Sequence, residues 1–186
     1  MALTLISNCG VDEKGGFIGG KAGDQTGREY CVRNWYSHPW QYVLRYPDEK
    51  VGAKIASIAK AAANNNAIGY DQGERGTYYI QLVKASYKPS KIRTACEADC
   101  SSSTAANVIA TGMRLGIEKL TKVSPYCTTR NLREALIAAG FKCYKTTKLT
   151  NSCDYLLPGD ILLTEGQHVA INITAGDKVK KKKAVK

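Results

Sequence analysis

Hydrophobic residues change their period once along this chain, and the change restricts the architectures open to it. Between Glu49 and Asn66, Val51, Ile55, Ile58, Ala59 and Ala62 recur at three- and four-residue steps until the Asn64-Asn65-Asn66 run, so the spacing predicts an amphipathic helix. A second helix is expected after Cys100, with Ser101 to Ser103 as capping hydroxyls and Ala105, Val108, Ile109, Met113 and Leu115 as its apolar stripe. A third spans about Asn131 to Ala139, with Asn131 and Glu134 in capping-box spacing and Gly140 as the stop. Beyond Gly140 the runs at Phe141–Lys145, Asp160–Thr164 and His168–Thr174 are short and β-rich, separated by Pro158-Gly159 and Glu165-Gly166, which predicts a small antiparallel sheet. Helices first and strands last is an α+β arrangement. Thr77 to Val83 fits either a strand or a helix after the Gly69-Tyr70-Asp71-Gln72-Gly73 turn.

At 186 residues the chain suits a single core with a tail. With 44% hydrophobic and 23% charged residues it matches globular proteins rather than disordered ones, and no apolar run approaches the roughly 18 residues of a membrane span. The net charge of +11 owes more than half to six lysines among the last nine residues, which read as a solvated tail or linker. Seven cysteines cannot all pair and show no CxxC spacing, so reduced thiols are expected. The opening Met-Ala-Leu-Thr-Leu-Ile-Ser lacks the charged and apolar regions of a signal peptide, so synthesis in the cytoplasm is expected, with some other exit to any external target. Residues 1–30, rich in glycine, suit turns more than regular structure, and both tryptophans, Trp35 and Trp40, lie in an aromatic segment expected to pack.

The second helix places a cysteine where chemistry is possible. A thiol at a helix N-terminus feels the positive end of the dipole, and with an imidazole partner it meets the needs of a nucleophile. The chain has two histidines. His38 lies in the aromatic, proline-containing segment without periodicity, whereas His168 opens an apolar strand and can face a packed helix end, which favours it as the base. On the residues alone, a core cysteine and an ordinary surface histidine remain an equal alternative.

The words around these residues carry a resemblance. Ala98-Asp99-Cys100-Ser101-Ser102, then Leu157-Pro158-Gly159-Asp160-Ile161-Leu162-Leu163, then Gly166-Gln167-His168-Val169-Ala170-Ile171 resemble, in order, the NlpC-type and CHAP-type cysteine peptidases that cut bacterial peptidoglycan. The stretch from Gly19 to Glu29, with Trp35-Tyr36, Pro39-Trp40 and Val43-Leu44-Arg45, is similar to the N-terminal arm of endolysins from phages and prophages of Gram-positive hosts. The resemblance implies a papain-like fold with helices packed on a small antiparallel sheet, Cys100 as nucleophile and His168 as general base. It further implies that Asp99 and Ser101 contact the substrate, Asp99 holding a free stem-peptide amine, and that Tyr70 and Asp71 line the site, although the interval from Tyr70 to Cys100 exceeds the family's spacing. Peptidoglycan is the implied partner, with no nucleic acid, no membrane span and no cofactor, and the implied place of action is the cell wall after release from the host cytoplasm. The family's third catalytic residue, a polar group about a dozen positions beyond the histidine, has no counterpart, since that region is the lysine tail. Asn172, four residues along the same strand, lies about 13 Å away at ~3.3 Å per residue. The expected division is an N-terminal arm over 1–48, a peptidase core over 49–175 and a lysine-rich tail or linker over 176–186, the tail leading to a cell-wall-binding module beyond this sequence.

Two other classes compete. One is a basic, non-catalytic module gripping nucleic acid or wall polymer through Lys178–Lys186, which predicts a silent Cys100→Ala and steep salt dependence. The other is a metal-dependent amidase using Asp24, Glu29, Asp71 or a Cys96, Cys100 and His168 set, for which two histidines are thin provision. The acidic loop Asp24–Glu29 is compatible with calcium but lacks EF-hand spacing.

Overall fold

The computed structural model describes residues 3–12, 14–17 and 28–184. Along the chain it places strands β1 (Leu5–Cys9), β2 (Tyr30–Asn34) and β3 (Tyr42–Arg45), helix α1 (Glu49–Ala63), β4 (Ile68–Tyr70), helix α2 (Thr77–Lys84), β5 (Cys96–Ala98) and helix α3 (Cys100–Leu115). There follow α4 (Glu118–Thr121), α5 (Leu132–Ala138), β6 (Lys142–Tyr144), α6 (Thr147–Thr150), β7 (Ile161–Thr164), β8 (His168–Asn172) and α7 (Asp177–Ala184). Among the described residues six strands form one antiparallel sheet in the order β2-β1-β8-β7-β3-β6, and β4 pairs with β5 in a parallel ladder of two. The architecture is the expected α+β one, helices packed on an antiparallel sheet.

Alternation along the strands explains why the sheet is buried on both faces. Leu44, Ile161, Leu163, Val169 and Ile171 meet Val51, Ile55 and Ala59 of α1 and Ala105, Val108 and Ile109 of α3 in the main core. Their neighbours Val43, Leu162 and Ala170, with Ile6, point to the other face and pack with Trp40, Leu149 and Leu156. A third cluster joins the back of α1 and α3, through Ile58, Ala62, Ala106 and Ala110, to Tyr78 and Leu82 of α2 and to β4 and β5. Helix α3 is therefore buried on all sides from Cys100 to Gly112, and its polar Asn107 is matched, accepting from Tyr78 Oη at 2.8 Å and donating to Tyr30 Oη at 2.7 Å.

Several expectations are corrected here. Leu5–Cys9 is a strand held between β2 and β8 rather than irregular chain, because its burial on the sheet outweighs the glycines that follow it. Met113 and Leu115 are exposed, since the last turn of α3 runs past the core before Gly116 stops it in the left-handed region. Asn131 does precede α5, but its side chain accepts from the Thr128 amide and makes no capping bond to the helix. The caps of α3 come from Asp99 rather than from the serine hydroxyls alone. The segment left open at Thr77–Val83 is helical, burying Tyr78 and Leu82 four residues apart. The lysine-rich end, for which no secondary structure was expected either way, is helical over Asp177–Ala184, with Lys178 paired to Asp154 at 3.1 Å. No helix among the described residues is long and apolar enough to cross a membrane.

The Pro158-Gly159-Asp160 turn is a structural device. Gly159 has φ +87°, and a Cβ there would overlap the Gly52 carbonyl of α1, so only glycine lets turn and helix meet. Asp160, fully buried, receives Arg45 Nε and Nη2 at 2.6 Å each and the Leu157 amide at 2.8 Å, while burial pushes its carboxyl up against the pull of Arg45. This fork ties β3 to the entry of β7 and fixes the register in which β8 follows.

Candidate active site

Cys100 is set by interactions close to it in sequence. β5 ends at Ala98, and Asp99 caps α3 by accepting from the Ser101 and Ser102 amides at 2.9 and 2.7 Å, while Ser102 Oγ accepts from the Asp99 amide at 2.9 Å. The cap engages the amides of Ser101, Ser102 and, through the Asp99 carbonyl, Ser103, and passes over that of Cys100. Arg75 locks the outside of the cap, with Nε 3.0 Å from Asp99 Oδ2, Nη2 donating to Ser101 Oγ at 3.2 Å, and a further bond from Nη2 to the Cys127 carbonyl. Burial, then the Asp99 carboxylate, pushes the Cys100 thiol up to about 12, opposed by backbone groups of Val169 and Ser101 and by Arg75. The influence of Val169 sets the thiol against the residue that follows His168 on β8.

His168 is set by interactions far from it in sequence. Its Nε2 lies 2.9 Å from Oδ1 of Asn8 on β1, 160 positions away, and the same oxygen accepts from Tyr36 Oη at 3.2 Å. Because that oxygen only accepts, Nε2 carries the proton and Nδ1 keeps a free lone pair, the tautomer a general base needs. Gly10 makes room for the pair: a Cβ there would come within 2.6 Å of Asn8 Nδ2 and 3.6 Å of His168 Cε1. Burial, with the charges of His38 and Arg33, pulls the imidazole down from 6.5 to about 4.

His38, set aside on the sequence, joins the same cleft. Its ring centroid is 6.0 Å from that of His168 and 4.5 Å from that of Trp40, and Trp40 lies 6.0 Å from His168, so His168 has an aromatic wall. Thr164 Oγ1 donates to the Pro39 carbonyl at 2.9 Å, so the 3.2 Å contact to His38 Nδ1 has His38 as donor, and the lone pair of this second imidazole is on Nε2. Asn8, Tyr36 and His38 are the site residues sequence reasoning missed. No spacing signals them, because strand order alone brings β1 and the β2–β3 connection beside β8.

Cys100 and His168 open together onto one cavity of about 580 Å³, with Asn8, Tyr36, His38, Tyr70, Gln72, Arg28 and Arg33 among its walls. Tyr70, despite its long interval from Cys100, is in the wall, its hydroxyl accepting from Gln72 Nε2 at 3.0 Å. Asp99 and Ser101 are not wall residues; both are spent in the cap and on Arg75. Asp71, next to Tyr70, is not among the wall residues and accepts from the Gly73 amide at 2.5 Å.

Of the groups weighed as metal ligands, Cys96 donates to the Ala67 carbonyl, Glu29 accepts from the Tyr70 amide at 2.9 Å, and Asp24, with the rest of the loop from 18 to 27, lies outside the described residues. Among the described residues no three His, Cys, Asp or Glu side chains gather as a metal site.

Comparison with known proteins gives a family. The family model described as an endolysin-like domain matches residues 6–179, nearly the whole chain and all the elements that build the cleft. Neither the curated proteins nor the solved structures yield a match.

Proposed function

The chain belongs to the endolysin-like domain family, and on that premise we propose that it is a peptidoglycan hydrolase of NlpC/CHAP type that cleaves an amide of the stem peptide or cross-bridge through Cys100 and His168. The observation that carries this reading is the hydrogen bond from His168 Nε2 to Asn8 in the cavity that Cys100 also lines. It supplies the orienting group that the tail of the sequence lacks, and it leaves Nδ1 as the proton acceptor.

With the thiol raised and the imidazole lowered, the resting pair is neutral thiol and neutral imidazole at pH 7. Proton transfer therefore accompanies attack. His168 Nδ1 takes the Cys100 proton as the sulfur bonds to the amide carbon, and the uncapped Cys100 amide at the start of α3 donates to the oxyanion. The imidazolium returns its proton to the leaving amine, a thioester remains, and water activated by His168 releases the acid and restores the thiol. Asn8 acts as a positioning residue, Tyr70 as a wall against the substrate, and Asp99 and Ser101 as the brace of the helix end. In this reading the enzyme is made in a host cytoplasm and acts on the wall of a Gram-positive cell as part of phage or prophage lysis.

Purified walls incubated with wild type and Cys100→Ala test it. Wild type is expected to clear them and release new amine and carboxyl ends by mass spectrometry, with Cys100→Ala slower by at least about a thousandfold. Equal clearing by both would sink the thiol mechanism.

A further inference from the structure

The cleft has a charge as well as a nucleophile. Of the side chains that line it, Arg28 and Arg33 are cationic and, among the described residues, none is a carboxylate. Among the described residues, Glu29 is buried and accepts from the Tyr70 amide, and Asp12 accepts from the Lys14 and Gly16 amides of its own loop. Both arginines are exposed, and among the described residues neither forms an ion pair. Arg45, Arg75 and Arg133 are each set on a carboxylate, while Arg93, Arg114 and Arg130, also without an ion pair among the described residues, lie outside the cleft.

Arg33 is also placed beside the chemistry. Its guanidinium carbon lies 4.7 Å from the centre of the Tyr36 ring, and Tyr36 Oη donates to the Asn8 oxygen that orients His168. Attraction to the ring holds the guanidinium in place, and a guanidinium can receive a carboxylate in a fork. Arg33 shares the cavity with Cys100 and His168 and acts on the imidazole through its charge, so an anion that it held would lie near the scissile bond, and a cavity of about 580 Å³ takes a short peptide segment rather than a long polymer.

We propose that Arg33, assisted by Arg28, binds a free carboxylate on the substrate residue adjoining the scissile amide, so that the enzyme selects anionic peptides over their amidated counterparts. This rests on the cysteine mechanism proposed above. An α-carboxyl left free beside a side-chain-linked amide, or a terminal carboxyl one residue from the cut, is the chemistry that fits.

The test uses the full chain and two soluble muropeptides identical except that the carboxylate next to the scissile bond is free in one and a carboxamide in the other. Wild type should cleave the acid form with a kcat/KM on the order of tenfold higher, mainly through KM, and added salt should shrink the preference. Arg33→Gln should lower the ratio to about one by slowing the acid form more than the carboxamide form, and Arg33→Lys should recover part of the ratio. Arg28→Gln should lower it less. Equal wild-type rates on both peptides with full dependence on Cys100 overturn the carboxylate site and leave the cysteine mechanism standing. Cleavage of neither peptide, or undiminished cleavage by Cys100→Ala, overturns the mechanism and this inference with it. No preference in peptides, combined with an Arg33-dependent loss of rate on walls stripped of phosphate polymer, overturns it in favour of a phosphate partner.

Discussion

The two halves of the cleft are held in opposite ways. The cysteine half is built mostly locally, with Asp99, Ser101 and Ser102 within three residues of one another and Arg75 and the Val169 backbone as distant additions. The histidine half is built from afar, since Asn8, Tyr36, His38 and Trp40 all come from the first 40 residues to meet a histidine near the end. A local cap forms whenever its helix forms, whereas the histidine's setting exists only when β1 has docked between β2 and β8. The difference predicts that damage to the distant half separates activity from stability and that damage to the local half does the reverse.

Asn8→Ala should give the larger effect of the two on catalysis. It leaves the His168 N–H and the Tyr36 hydroxyl without their acceptor and frees the wrong tautomer, so kcat is expected to fall about a hundredfold. Steady-state kinetics on soluble muropeptide, beside an unchanged circular dichroism spectrum, checks this, and a loss below threefold would break the comparison. Asp99→Ala should instead cost about 2 kcal/mol in denaturant unfolding, from the lost cap together with the Arg75 pair. Asp99→Asn sharpens the point, because asparagine caps as well as aspartate. If the carboxylate serves the cap, Asn restores most of the stability and activity stays within about threefold; if it holds a substrate amine, KM rises while stability recovers.

Acid should act on the distant half first. The folded chain holds His168 at about 4 and pulls His38 down as well, both through burial, while the unfolded chain titrates near 6.5. Between those values the unfolded state binds more protons, so stability is full above about pH 6.5 and is lost as the pH falls toward 4. Denaturant midpoints from pH 7.5 to 4.5 should show this fall, and His168→Gln should flatten it; an unchanged slope in the variant would place the acid sensitivity elsewhere.

These expectations also mark how far the sequence can be read. The start of α3, the span of α1, the helical stretch before α5's glycine stop and the three late strands were all legible, since each rests on neighbours within about four residues or on a simple alternation. Where a local pattern was ambiguous, tertiary contact chose. Thr77–Lys84 became helix because Tyr78 and Leu82 fill the space behind α1 and α3, and Asn131 gave its side chain to Thr128 rather than to a capping box. Met113 and Leu115 fit the helical period yet reach solvent, because period states which residues share a face and not whether anything covers it.

By itself, then, the sequence determined an α+β chain with a cysteine at a helix N-terminus and a histidine at the head of a late strand. Only the tertiary structure decided that Asn8 orients that histidine, that His38 stands beside it, that Asp71 accepts from the Gly73 amide, and that two arginines without an ion pair among the described residues face the cleft. The reason is physical. Helix caps and strand alternation are fixed by atoms a few bonds apart, but the partner of His168 lies 160 residues away and is chosen by the order in which strands enter the sheet, which no local spacing records.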